Sequence, residues 1–300
     1  MKTDRRSLLK GLAAAAAATV AAPVEALASE EAPAAPPGAV GMLYDTTLCI
    51  GCKACVVACR EANGLTPDTS EWGGGLWDAP LGLSERTKNV IQLYQDGNES
   101  SYAKKQCMHC VDAACVGACM MHALTKDPET GVVSWNGTSC VGCRYCQLAC
   151  PYEVPKFEWT SANPRIVKCE LCRHRLAEGR EPACTEVCPR HAVIYGTRAE
   201  LLEEAHRRLR ETPDRYVAKV YGETDGGGTQ VLYLSHIPFE KLGFPTLGET
   251  SSAATTRAVQ GTIYKGFAAP VALYGILGLA VFRNRRQDEK AARADEEKTP

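Results

Sequence analysis

Cys140-Val141-Gly142-Cys143-Arg144-Tyr145-Cys146-Gln147-Leu148-Ala149-Cys150-Pro151 spaces its cysteines C-x2-C-x2-C-x3-C and closes on proline. This is the run by which bacterial chains wrap a [4Fe–4S] cluster. Working outward, all sixteen cysteines of the chain fall into four such groups of four. Cys49, Cys52, Cys55 and Cys59 repeat the same spacing. Cys107, Cys110, Cys115 and Cys119 read C-x2-C-x4-C-x3-C, and Cys169, Cys172, Cys184 and Cys188 read C-x2-C-x11-C-x3-C before Pro189. No cysteine is left over, as four tetra-cysteine [4Fe–4S] clusters require. A chain that uses its cysteines in this way moves single electrons.

In each group, three cysteines close together can wrap one corner of a cluster with backbone N–H groups turned toward its sulfides. Gly51 and Gly142, each just before a second ligand, permit that close approach. The fourth cysteine lies beyond, where the chain turns away; in two-cluster ferredoxins it ligates the other cluster. Four groups therefore imply two pairs, each a ferredoxin-like lobe, although spacing does not say which groups pair. Zinc could occupy C-x2-C starts, but the three-plus-one spacing with proline after two groups favours clusters. A disulfide framework fits sixteen cysteines in this spacing less well still. Covalent haem is excluded because no C-x-x-C is followed directly by histidine.

Three hundred residues can bury a real core in one or two domains. The formal charge of −1 leaves no electrostatic footprint for nucleic acid. A cluster core with four thiolates carries roughly −2, so four would add about −8 to the loaded protein. Lys53, Arg60, Lys104, Lys105, Arg144, Lys168, Arg173 and Arg190 beside the ligands fit that load, some of them as ordinary surface charges. His109, His122, His174 and His191 also sit near ligands, in supporting or surface roles. No nucleotide-binding glycine fingerprint is present, since Gly226-Gly227-Gly228 lacks a strand–turn–helix context. With no Ser/His/Asp arrangement and no spare thiol nucleophile, the chain reads as an electron carrier without an active site of its own.

The two ends predict a location. Asp4-Arg5-Arg6-Ser7-Leu8-Leu9-Lys10, an alanine-rich stretch and Ala26-Leu27-Ala28 make 1–28 a twin-arginine signal peptide. That route carries folded proteins, so clusters can be built before the thiols meet an oxidising compartment. Near the other end, residues 266–282 run for 17 residues without a charge, flanked by Tyr264 and Lys265 and by Arg283, Arg285 and Arg286. A helix there would be roughly 26 Å long, at the short limit for a membrane span, with its positive flank cytoplasmic. The expected organisation is signal peptide 1–28, linker 29–40, cluster-bearing body 41–248, tether 249–264, transmembrane helix 265–283 and cytoplasmic tail 284–300. The body would stand at the periplasmic face of the inner membrane.

Inside the body, long elements have little room between loops. A hairpin is predicted from 123–126 and 132–135 across Asp127-Pro128-Glu129-Thr130-Gly131. A scaffold helix is predicted over 198–210, where Thr197 and Glu200 form a capping box and Leu201, Leu202, Ala205 and Leu209 an apolar stripe. The fold class expected is α+β: two loop-rich ferredoxin-like [4Fe–4S] lobes plus one C-terminal transmembrane helix.

The cysteine pattern resembles the four-cluster electron-transfer subunits of the DMSO reductase, formate dehydrogenase and polysulfide reductase type. The resemblance implies that the first group pairs with the fourth and the second with the third. Cluster 1 would then lie on Cys49, Cys52, Cys55 and Cys188, and cluster 2 on Cys59, Cys169, Cys172 and Cys184. Cluster 3 would use Cys107, Cys110, Cys115 and Cys150, and cluster 4 Cys119, Cys140, Cys143 and Cys146. Arg60 and Met120 replace proline after Cys59 and Cys119, which makes those corners less ferredoxin-like. Outside the ligands, Gly41-Met42-Leu43-Tyr44-Asp45, Lys104-Lys105-Gln106-Cys107-Met108-His109-Cys110, Tyr221-Gly222-Glu223 and Gly226-Gly227-Gly228-Thr229-Gln230-Val231-Leu232 are similar to the HybA-like ferredoxin-type subunits of hydrogenase-2 type [NiFe] hydrogenases. That likeness implies a relay between the small and large subunits of a periplasmic hydrogenase and an integral membrane subunit that reacts with quinone. The alternative is the same relay serving a molybdopterin oxidoreductase of the formate dehydrogenase, DMSO or polysulfide reductase type.

Overall fold

Strand β1 (Val40–Asp45) stands at the centre of a three-stranded sheet, with β8 (Val193–Thr197) antiparallel on one side and β9 (Val231–Leu234) parallel on the other. The register sets Met42 between Tyr195 and Val231, and Tyr44 between Val193 and Tyr233. Both faces are covered, so β9 reads Val-Leu-Tyr-Leu without polar alternation and is buried throughout. One face sends Met42, Tyr44, Val231 and Tyr233 into a core shared with Cys55, Leu171, Cys184 and Phe244. The other packs Leu43, Leu232 and Leu234 on Leu201 and Ala205 of helix α6 (Arg198–Glu211). The cysteine-bearing loops therefore gather on the face away from α6.

The computed structural model describes residues 33–67, 80–161, 164–254, 256–257, 270–271, 273–283 and 285–286. The chain divides into two units, one of residues 31–256 and one of 1–30 with 257–300. The predicted signal peptide 1–28 lies outside the described residues, as do 287–300 of the predicted tail.

Helix α6 begins as its sequence predicts and runs one residue further. Thr197 Oγ1 accepts from the Glu200 amide at 3.3 Å while the Glu200 carboxylate accepts from the Thr197 amide at 3.1 Å. The predicted hairpin forms from β4 (Leu124–Lys126) and β5 (Val133–Trp135), pairing Leu124 with Trp135 and Lys126 with Val133. Its connection is held by Asp127, whose Oδ1 accepts from the Thr130 amide at 2.7 Å and the Glu129 amide at 3.0 Å.

A longer hairpin, β2 (Asn89–Asp96) with β3 (Glu99–Gln106), was not among the predicted elements. Its signal is the two-residue Gly97-Asn98 connection, with Gly97 at φ 57°. The distal ends of both strands are polar and exposed, which hides the pattern. A two-residue pair, β6 (Lys156–Phe157) with β7 (Ile166–Val167), completes the strands before β8.

The cysteines lie in or beside short helices: α1 (Ala54–Ala62), α2 (Ala114–Gly117), α3 (Tyr145–Ala149), α4 (Arg173–Ala177) and α5 (Ala183–Glu186). Helix α1 packs on α5, and α2 on α3. At the C-terminal side of the larger unit, Ser251 is buried and its hydroxyl bonds Asp112 at 2.6 Å, so this part of the predicted tether packs against the body.

The described residues of the second unit cover part of the predicted span. Residues 273–283 are helical, and Tyr274, Leu277, Leu279, Val281 and Phe282 are exposed. Among the described residues no helix is long and apolar enough to cross a membrane. Residues 265–269 and 272 of the predicted span lie outside the described residues.

Candidate metal centres

Each cysteine loop is bent by left-handed backbone steps. In the first group Gly51 has φ 70° and Lys53 φ 57°; in the third, Gly142 has φ 70° and Arg144 φ 65°. The fourth group uses Leu171 at 49° and Cys172 at 50°, and the second uses His109 at 48°. Such turns aim peptide N–H groups at sulfur: Gly51 donates to Cys49 Sγ and Leu171 to Cys169 Sγ, both at 3.4 Å. Tyr102 packs where a Cβ on Gly51 would stand, 2.3 Å from the ring.

A second device follows the fourth cysteines. Three residues beyond Cys119, Cys150 and Cys188, the chain again turns left-handed at His122, Glu153 and His191. The turn returns the Ala123 amide to Cys119 Sγ at 3.2 Å, and the Val154 and Tyr152 amides to Cys150. Cys119 makes this turn without a following proline. Cys59 does not, because α1 continues past it to Ala62, and Asn63 supplies a side-chain amide 3.7 Å from its sulfur instead.

These turns bring cysteines of different groups together. Burial raises the Cys49 thiol; bonds from Tyr44 and Gly51 oppose, while Cys188 and Cys52 add to the rise. Burial carries Cys55 up to about 12, with Lys104 opposing and Cys184, Cys49 and Cys188 adding. Cys59 is raised by burial, then by Cys169, Cys184 and Cys172, with Lys104 opposing. Burial likewise raises Cys110, beside Cys107, Cys115 and Cys150. Cys146 goes up to about 12 by burial and by Cys119, Cys143 and Cys140.

Four neighbourhoods follow: Cys49, Cys52, Cys55 with Cys188; Cys169, Cys172, Cys184 with Cys59; Cys107, Cys110, Cys115 with Cys150; and Cys140, Cys143, Cys146 with Cys119. The first two meet where Cys55 faces Cys184. The second and third meet at Cys169 and Cys107, and the third and fourth at Cys115 and Cys146. Cys52 and Cys143, one in each outer set, are the exposed cysteines among the sixteen.

All-sulfur donor sets suit iron–sulfur chemistry. Among the described residues, no three His, Cys, Asp or Glu side chains form a site for a single metal ion. Buried thiols favour their neutral form, so ligation requires a metal charge to deprotonate them. Fully buried lysines reveal the complementary need. Lys104 has no solvent exposure, donates to Gln106 Oε1 and, among the described residues, has no carboxylate partner. Lys168 donates to the carbonyls of Val133 and Cys169 and faces Cys115 and Cys150. A buried ammonium without a counter-charge costs several kcal/mol; an anionic cluster on the adjacent cysteines provides one. The residues present fit the group.

Of the predicted basic residues, Lys104 and Lys168 are buried against the thiols. Arg144 turns away to stack on Trp159, 3.7 Å from the ring centroid, and the Arg173 side chain is exposed beside Glu170. His109 is buried with its Nδ1 accepting from the Val133 amide at 3.0 Å. Three contributors were missed: Tyr44 beside Cys49, Asn63 beside Cys59, and Lys126, which donates to the Cys110 and Val111 carbonyls at 2.8 and 2.6 Å. Strand alternation could have found Lys126, which shares a face with buried Leu124.

A family model described as a 4Fe-4S dicluster domain matches residues 98–198, which hold the second, third and fourth cysteine groups. The chain is 40% identical to the hydrogenase-2 operon protein HybA of Escherichia coli O157:H7, over 98% of this chain and 99% of that protein. It is 34% identical to the formate dehydrogenase-O iron-sulfur subunit of Escherichia coli strain K12, over 84% of this chain and 86% of that subunit. Against the iron-sulfur subunit of the nitrate-inducible formate dehydrogenase of the same strain, identity is 36% over 66% of this chain and 68% of the subunit.

Proposed function

The chain belongs to the family of iron–sulfur electron-transfer subunits that includes HybA and the formate dehydrogenase iron-sulfur subunits, and from that membership we propose a four-cluster relay serving a periplasmic [NiFe] hydrogenase. Cys49, Cys52, Cys55 and Cys188 hold one [4Fe–4S] cluster, and Cys59, Cys169, Cys172 and Cys184 a second. Cys107, Cys110, Cys115 and Cys150 hold a third, and Cys119, Cys140, Cys143 and Cys146 a fourth. When bound, the clusters supply one-electron transfer, with potentials anywhere between roughly −700 and +450 mV according to their surroundings.

The chain's own residues do the rest. Gly51, Leu171, Ala123 and Val154 direct amides at ligand sulfurs, and such bonds tune the potential. Tyr233, fully buried between Cys169, Cys107 and Cys184, helps keep water from these thiols. The observation that carries the proposal is the gathering of cysteines from different groups beside one another, with Cys52 and Cys143 exposed.

In this reading the partners are the small and large hydrogenase subunits at one end and an integral membrane, quinone-reactive subunit at the other. Export by the twin-arginine signal at 1–28 and anchorage in lipid by a helix over 265–283 hold the body at the periplasmic face. The nearly full-length match to HybA supports the hydrogenase. The formate dehydrogenase relatives support a second reading, the same relay beside a molybdopterin enzyme.

Anaerobic purification with bound partners tests both. Nickel in the complex supports the first reading and molybdenum the second, while a colourless protein without iron ends the relay. Cys49→Ser or Cys169→Ser should stop quinone-linked turnover while dye reduction by the catalytic partner continues.

A further inference from the structure

Lys104 is the most enclosed cation of the larger unit. It sits near the end of β3, where both faces of the strand are covered: Ala103 is buried on one side, Lys104 and Gln106 on the other. Its backbone is pinned, since Tyr233 Oη donates to the Lys104 carbonyl at 2.9 Å. The ammonium donates to Gln106 Oε1, a neutral acceptor, and Gln106 Nε2 is turned toward Met42 Sδ at 3.4 Å. Met42 Sδ in turn lies 3.9 Å from Cys184 Sγ of the second set, and Cys55 of the first packs in the same core as Met42, Ala103 and Cys184. The ionisable neighbours of the ammonium are the thiols of Cys184, Cys55, Cys169 and Cys59. Lys168 stands beside Cys115 and Cys150 of the third and donates to the carbonyl of Cys169 in the second.

We propose that Lys104 is a positioning residue for charge, whose single fixed ammonium is shared by the two clusters of the first lobe and raises both of their reduction potentials. The proposal rests on the cluster assignment above. Each added electron makes a cluster more anionic, and a buried cation whose hydrogen-bond acceptor is neutral favours the reduced state. Because one charge serves both sets, it raises them together and preserves their relative order. Lys168 places a second buried ammonium beside the third set, so that cluster has a cation that Lys104 does not supply.

The test is an electron paramagnetic resonance redox titration of the anaerobically purified, full-length protein in its complex. Lys104→Met should lower both first-lobe potentials, on the order of a tenfold shift in the reduced-to-oxidised ratio at fixed ambient potential, about 59 mV for one electron. Lys104→Arg should restore them, and Lys168→Met should lower the potential of the third cluster. A Lys104→Met protein with full iron content and unchanged potentials overturns the role of Lys104 while leaving the relay intact. Wild-type protein without cluster signals overturns the relay itself. Should Lys104→Met fail to retain clusters, wild-type protein labelled with 15N-lysine still decides. A 15N coupling to the first-lobe cluster spins is expected there, and its absence overturns the proposal.

Discussion

The Val133 amide donates to Nδ1 of His109 at 3.0 Å, while the Val133 carbonyl accepts from Lys168. One residue of β5 thus ties the second cysteine loop to the residue preceding Cys169. The bond makes Nδ1 the acceptor and places the imidazole proton on Nε2. His109→Phe fills the space but leaves the buried Val133 N–H unpartnered. A loss of about 1–3 kcal/mol is expected, read as a lower denaturant midpoint under anaerobic conditions.

Gly51→Ala and Gly142→Ala should both impair cluster loading, the first more severely. Each glycine has φ 70°, where a side chain adds about 1–2 kcal/mol of strain. A Cβ on Gly51 also meets the Tyr102 ring at 2.3 Å, whereas on Gly142 it meets Pro164 at 3.1 Å. Iron per chain is the measurement. Equal and full loading of both variants would contradict the loop geometry.

Thr197→Ala removes the hydroxyl of the α6 capping box and should cost about 1 kcal/mol. Because α6 lies on the sheet face away from the cysteines, the cluster spectrum should not change. A shifted spectrum together with lower stability would show that the two faces are coupled.

Glu170 offers a pH-dependent contribution. Burial alone would raise its carboxyl, but the Trp135 N–H at 3.0 Å and the charges of Lys88, Lys168 and Arg173 outweigh burial and hold it below its ordinary value of 4.5. Its stabilisation is therefore complete above the unfolded value and is lost as pH falls through the lowered folded one. The stability gap between wild type and Glu170→Gln, taken from urea midpoints, should be constant at neutral pH and close on acidification. A gap that widens in acid would reverse the sign.

Removing iron with a chelator under reducing conditions should unfold the larger unit around its lobes. Without clusters, the buried ammonium of Lys104 loses its counter-charge. Far-ultraviolet circular dichroism and limited proteolysis should report the loss together. An apoprotein as protease-resistant as the loaded one would rule this out.

What could be read from the sequence was local. The loop glycines, the 124–135 hairpin and the capped helix α6 each depend on a few adjacent residues, and each occurs where its pattern predicts. The central sheet escaped because β1, β8 and β9 are neighbours only after the chain folds. Lys104 looked like one more cation beside a ligand, since burial belongs to the packing around a residue and not to its neighbours in the chain.

By itself the sequence determined the donors: sixteen cysteines in four groups, bent by glycines that permit left-handed turns. Only the tertiary structure decided how those groups meet. Packing of α1 on α5 and α2 on α3 brings each fourth cysteine beside a different group. Spacing along a chain limits what one loop can wrap. Which loops face one another, and which charge is sealed between them, depends on apolar burial across the whole unit.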